Sequence, residues 1–192
     1  RLELRHCAFF RAEFERRLRC LASGDIEGDP LAYALVRELV TAVHGHVDVE
    51  STVGVLADFQ TVRPLTIAEV WACPLLLRLV LLEELAGAAA ALGPPAGAAA
   101  AAIYGALDGQ ATAAAADRTV ASCIRSLRTL ETTDWKAFFE NVSLTERILR
   151  DDPARVYARM DFATRDRYRK VVEDLATHGD HPEEETAREA VR

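Results

Sequence analysis

Thr66-Ile67-Ala68-Glu69-Val70-Trp71-Ala72-Cys73-Pro74-Leu75-Leu76-Leu77-Arg78-Leu79-Val80-Leu81-Leu82-Glu83-Glu84 is the stretch that decides the fold class. Thr66 followed by Glu69 has the form of a capping box, in which two residues satisfy each other's free backbone N–H groups at a helix start. The run behind it is apolar on nearly every side, which predicts a helix over 67–91 in the centre of a bundle. Pro74 has no N–H to give and predicts a kink. A membrane span is the competing reading, since about 20 apolar residues reach across a bilayer. Glu69, Arg78, Glu83 and Glu84 interrupt the run, and a central Arg costs about 2.5–3.5 kcal/mol on the insertion scale. The buried-core reading is preferred.

Outward from this stretch the pattern stays helical. Leu2, Cys7, Phe10, Phe14, Leu18 and Leu21 recur mostly at three- and four-residue steps and predict an amphipathic helix over 2–22. Pro30 suits the first turn of a second helix, with Leu31, Leu35, Leu39, Val36, Val40 and Val43 on its apolar face. That helix is expected to stop at His44-Gly45, where Gly takes the left-handed conformation. Asp48 is placed to cap a third helix carrying Val49, Val53, Leu56 and Phe59.

Beyond 86 an alanine-rich stretch follows, broken by a loop around 92–97. Alanine favours helix but has little surface to bury, so the stretch reads as compositional drift rather than as a packing interface. Further helices are expected over 117–130, from Thr133-Asp134, around Leu144 to Leu149, and from Phe162 to Ala176 with Asp161 as its N-cap. No segment alternates with period two. The expectation is an all-α, bundle-like array of about seven to nine helices. It forms a single helical domain over 1–178, with a subdivision near 92–97 as an option and a polar acidic tail over 179–192.

Half of the 192 residues are apolar and 28% are charged, with a formal net charge of −7. That composition argues against a disordered chain and against nucleic acid as a partner, because phosphate backbones need an excess of Lys and Arg. Cys7, Cys20, Cys73 and Cys123 are widely spaced, without a CxxC pair, and read as reduced core thiols. The chain starts at Arg1 and its one methionine is Met160, which predicts a piece of something longer.

Local motifs give no catalytic centre: there is no GxSxG elbow, Walker loop or GxGxxG turn. His44, His46 and Asp48 have the ligand types of a metal-dependent hydrolase, but they sit on an interhelix loop without a supporting helical pair. A solvated loop is preferred, and no metal ligand is assigned. His178 and His181 read as titrating tail residues. The most unusual stretch is 150–171, where acids and arginines surround three aromatics. Arg155, Arg159, Asp161, Arg165, Arg167 and Arg169 are the candidate binding residues, suited to an anion or a sugar phosphate. The competing and preferred reading is an ion-pair web on a helix surface, with Asp161, Arg165 and Asp166 at its start.

Two segments resemble a known family. Arg63-Pro64-Leu65-Thr66-Ile67-Ala68-Glu69-Val70-Trp71 with Leu77 to Glu84, and Trp135 to Glu173 with the run Asp152-Pro153-Ala154-Arg155-Val156-Tyr157-Ala158-Arg159-Met160-Asp161-Phe162-Ala163-Thr164-Arg165-Asp166-Arg167-Tyr168, are similar to stretches of bacterial cyclic β-1,2-glucan synthases. Ala68 and Arg155 each stand where that family has Gly. The resemblance implies the amino-terminal, non-catalytic region of a large membrane glycosyltransferase. No cofactor is then expected for this chain, and UDP-glucose and a divalent metal belong to the parent enzyme. The implied partners are the parent's remaining domains and, as a further option, the glucan chain. The implied location is the cytoplasmic face of the bacterial inner membrane. The alternative is a free-standing helical interaction module without catalysis.

Overall fold

The computed structural model describes residues 30–92 and 106–192, with the side chains of 106–111 left aside. The helix expected over 2–22, Cys7, Cys20 and the loop at 92–97 lie outside the described residues. Within them are eight α-helices and no strand: α1 Leu31–Ala42, α2 Val49–Phe59, α3 Ile67–Leu92, α4 Ala106–Thr132, α5 Trp135–Val142, α6 Leu144–Arg150, α7 Phe162–Gly179 and α8 Glu183–Ala190. One 3-10 turn, Tyr157–Arg159, precedes α7. The fold is all-α. No described helix is long and apolar enough to cross a membrane.

The described residues divide into two compact units, the first containing 30–52, 74–92 and 106–133, the second 53–73 and 134–192. The division runs through α2 and, at Cys73-Pro74, through α3.

In the first unit Leu35, Val36, Leu39, Val40, Leu77, Val80, Leu81, Cys123 and Leu130 are buried. Polar bonds tie its helices at the ends of these apolar faces. Tyr33 Oη donates to Glu83 Oε2 at 2.9 Å, and Thr41 Oγ1 to Glu84 Oε1 at 2.8 Å. Arg78, one turn after Pro74 in an unbroken helix, donates from Nη1 to the Pro74 carbonyl and from Nη2 to the Leu130 carbonyl, each at 3.1 Å. The expectation of a fully enclosed central helix needs correction. Leu77, Val80 and Leu81 are buried, but Leu75, Leu79 and Leu82 are exposed.

The α1 C-terminus lies where expected, but two residues, not Gly45 alone, are left-handed. The left-handed residue that closes it is His44 (φ 49°), with its N–H bonded to the Thr41 carbonyl and the Gly45 N–H to that of Val40. This is a Schellman pattern with a non-Gly residue in the strained position. Gly45 is left-handed as well (φ 72°), and a Cβ there would lie 2.3 Å from Cys123 Sγ. Gly is required at 45 by close packing, with Ser126 bridging the same loop: its Oγ donates to the Gly45 carbonyl at 2.7 Å and accepts from the Val47 N–H at 2.8 Å.

In the second unit side chains set nearly every helix start. Thr66 and Glu69 form the capping box at α3, through Thr66 N to Glu69 Oε2 at 2.8 Å and Glu69 N to Thr66 Oγ1 at 3.2 Å. Asp134 caps α5, Ser143 caps α6 and Asp161 caps α7. Residues 183–190, expected as a polar tail, form α8 instead. Three glutamates in its first turn complement the helix dipole, and Ala187 on its inner face is fully buried among Leu149, Tyr157 and Val172. Glu183 Oε2 also accepts the Ile67 N–H at 2.8 Å, satisfying a second free donor at the α3 start. Burial, and then the neighbouring carboxylates Glu173, Glu184 and Glu69, push the Glu183 carboxyl above its ordinary range, against that hydrogen bond.

Candidate functional site

The segment 150–171 does two separate things, and its arginines divide accordingly. At the centre of the first lies Glu146, fully buried on α6 on the same face as Leu149. A carboxylate in that position needs several donors to replace its water shell. It has them. Glu146 Oε1 accepts from Arg150 Nε at 2.7 Å and faces Arg165 Nε at 3.3 Å. Its Oε2 accepts from Arg169 Nη1 at 2.7 Å and from the Tyr157 hydroxyl at 2.6 Å. Burial, with the hydrogen bond to Glu146, pushes the Tyr157 hydroxyl well above its ordinary range, so it stays a donor.

Glu140 on α5 extends the web, accepting from Arg150 Nη2 at 2.6 Å and from Arg165 Nη2. Arg165 Nη1 also donates to the Met160 carbonyl at 2.7 Å. Arg169 is completely buried, with its guanidinium 4.9 Å from the Phe139 ring centroid and 4.8 Å from that of Phe162. Trp71 stacks on Phe139 at 4.5 Å and meets Phe162 edge-on at 6.2 Å. The planar Arg head is thus held by a carboxylate at its edge and by aromatic rings at its faces. Asp166 bonds the other Arg169 amino group at 3.2 Å. The sequence points to an ion-pair web on a helix surface built from neighbouring acids. In the structure the centre of the web, Glu146 with Arg169, is buried, and its main acids, Glu140 and Glu146, come from two earlier helices.

Arg155 and Arg159 lie elsewhere. Asp151-Asp152-Pro153-Ala154 turns the chain after α6, and the Asp152 carboxylate accepts the N–H groups of Ala154, Val156 and Tyr157 at 2.9, 2.9 and 3.3 Å. Those three N–H groups hold its pKa below the ordinary range. Arg155 follows with φ 51°, a left-handed geometry that costs a non-Gly residue about 1–2 kcal/mol. Its side chain makes no hydrogen bond or ion pair to a described residue. Arg159 Nε donates to the Arg155 carbonyl at 2.7 Å and its Nη2 to that of Ala154 at 3.4 Å. Together with Arg150, Pro153, Ala154 and Ala158 they line an open surface cavity of about 470 Å³.

The remaining candidates have simpler places. Asp161 accepts the Thr164 N–H at 2.8 Å and its hydroxyl at 3.1 Å, which holds its carboxyl below the ordinary range. Arg167 is exposed beside this cap. His44, His46 and Asp48 are exposed, alternating with buried Gly45 and Val47, and the Asp48 carboxylate accepts the Ser51 N–H at 2.8 Å. Among the described residues no three His, Cys, Asp or Glu side chains converge as metal ligands. Cys73 and Cys123 are buried free thiols. Burial, then Glu69, pushes the Cys73 thiol up to about 12, and burial raises Cys123 as well, so neither is a thiolate near neutral pH. His178, in the last turn of α7, bonds the Asp174 carbonyl through Nδ1 at 2.7 Å.

Comparison with known proteins adds a relation in one direction. The cyclic β-(1,2)-glucan synthase NdvB of Rhizobium meliloti (strain 1021) is 40% identical over 73 residues, 38% of this chain. The relation is partial: the aligned stretch is 2% of that much longer protein. No family model matches the chain, and no solved structure matches it.

Proposed function

We propose that this chain acts as a helical, non-catalytic accessory part of a cyclic β-1,2-glucan synthase-like membrane glycosyltransferase. The observation that carries the reading is the 40% identity with the glucan synthase over 73 residues. The chemistry of the described side chains supports it. Arg165 and Arg169 are committed to Glu140 and Glu146, and the two described thiols are held protonated. Its work is assembly, regulation or acceptor positioning at the cytoplasmic face of the inner membrane, with the catalytic domains as partners and UDP-glucose and its metal bound by them.

A graft tests this. In an NdvB-type synthase, the 73-residue matching stretch is removed and then replaced by the corresponding residues of this chain. Deletion is expected to abolish β-1,2-glucan formation and the graft to restore it, while the isolated chain forms no glucan from UDP-glucose. Glucan formation by the isolated chain, or a deletion without effect, would overturn the accessory role.

A further inference from the structure

We propose that the cavity bounded by Arg150, Arg155 and Arg159 is a binding site for phosphate groups. The proposal goes beyond the accessory role and does not depend on it. Three guanidinium groups line one surface cavity of about 470 Å³, within a chain of net charge −7. A planar guanidinium matches two phosphoryl oxygens at once, and several around one space favour a multiply charged anion.

Each arginine is prepared differently. Arg150 commits Nε and Nη2 to Glu146 and Glu140, which fixes its position and leaves Nη1. Arg159 is steered by two backbone carbonyls, acceptors that orient a guanidinium without neutralising it. Arg155 has no partner among the described residues, although its backbone sits in a left-handed geometry that glycine would adopt more cheaply. The Asp152 carboxylate, which lies within electrostatic reach of Arg159, spends its hydrogen bonds on three backbone N–H groups of the loop. Strain at a residue whose side chain bonds nothing among the described residues, beside two oriented arginines, points to a ligand outside the fold.

The shared chemistry is a phosphoryl group with two or more free oxygens, supplied by a soluble phosphate or by the headgroup of an anionic lipid. The test compares the 192-residue chain with Arg155→Gly and Arg159→Gln. Inorganic pyrophosphate is titrated at constant ionic strength, followed by calorimetry and by the melting temperature, which a native-state ligand raises. In parallel, sedimentation is measured with phosphatidylglycerol vesicles and with phosphatidylcholine vesicles. The expected result is saturable binding to pyrophosphate, to the anionic vesicles, or to both, weakened about tenfold or more in each variant. Which arm responds identifies the source. Arg155→Gly relieves backbone strain, so its loss of binding is not a loss of fold. Equal binding by wild type and both variants, or no binding in any arm, would overturn the proposal.

Discussion

In the unit built from α1, α4 and most of α3, the largest fully buried side chains are Leu35, Leu77, Leu81 and Leu130. In the unit that holds α5 to α8 they include Phe139, but also Glu146 and Arg169. The first unit relies on apolar area, and its buried polar groups serve the backbone, as Ser126 does for Gly45 and Val47. The second places two opposite charges where no water reaches and surrounds them with Tyr157, Arg150, Arg165 and three aromatic rings. An apolar core tolerates exchange of one aliphatic residue for another of similar volume. A buried ion pair tolerates the loss of neither partner, because the survivor is left charged and unsolvated.

The comparison breaks most visibly at Glu146. Glu146→Leu is expected to destabilise the fold by about 3–5 kcal/mol, and adding Arg169→Met to it should recover much of that loss, measured by chemical denaturation. Simple additivity of the two changes would show that the ions are not coupled. In the apolar unit, Leu35→Ala should cost about 2–4 kcal/mol through the cavity it leaves, whereas Leu35→Met should cost less than about 1.5 kcal/mol. Ser126→Ala removes the bridge and strands the Val47 N–H, for about 1–3 kcal/mol. Hydrogen exchange at Val47 should rise with it.

Two smaller effects concern helix starts in the charged unit. Asp161→Ala should lower the melting temperature by about 2–4 °C through loss of the α7 cap. Its carboxyl is held below the ordinary range, so that contribution is present above the unfolded value near 3.8 and is lost as pH falls through the folded value. Glu183 has the opposite sign. Its folded pKa is raised above 4.5, so the fold binds the extra proton and stability falls as pH rises through that window. Glu183→Gln keeps an acceptor for the Ile67 N–H and removes the buried charge. It should raise the neutral-pH melting temperature by about 1–2 °C and flatten the pH dependence in that window.

Much of the helical fold was legible because local chemistry marks it. Thr66 with Glu69, Asp134 and Asp161 each announce a helix within four residues, and each caps the helix that follows. What escaped depends on distance along the chain. Arg169 pairs with Glu146 across 23 residues, whereas local spacing offers only neighbouring acids such as Asp166. A signal was present: Arg169 shares a helix face with Val172 and Ala176, and Glu146 shares one with Leu149. A charge on an apolar face calls for a buried partner. The α8 helix escaped because its exposed glutamates hide the one alanine that packs. Gly45 is left-handed as its type suggests, but nothing in the sequence marks His44 as left-handed too, or Gly45 as needed for close approach to Cys123.

The central claim is that Arg165 and Arg169 build the core of the charged unit, whereas Arg155 stands outside it. Melting temperatures of Arg169→Met and Arg155→Gly, measured side by side, test it most directly. Arg169→Met should lower the midpoint by at least about 6 °C, by stranding Glu146. Arg155→Gly should hold it or raise it by about 2 °C, because glycine removes the left-handed strain. A comparable fall in both variants, or no change in Arg169→Met, would contradict the division.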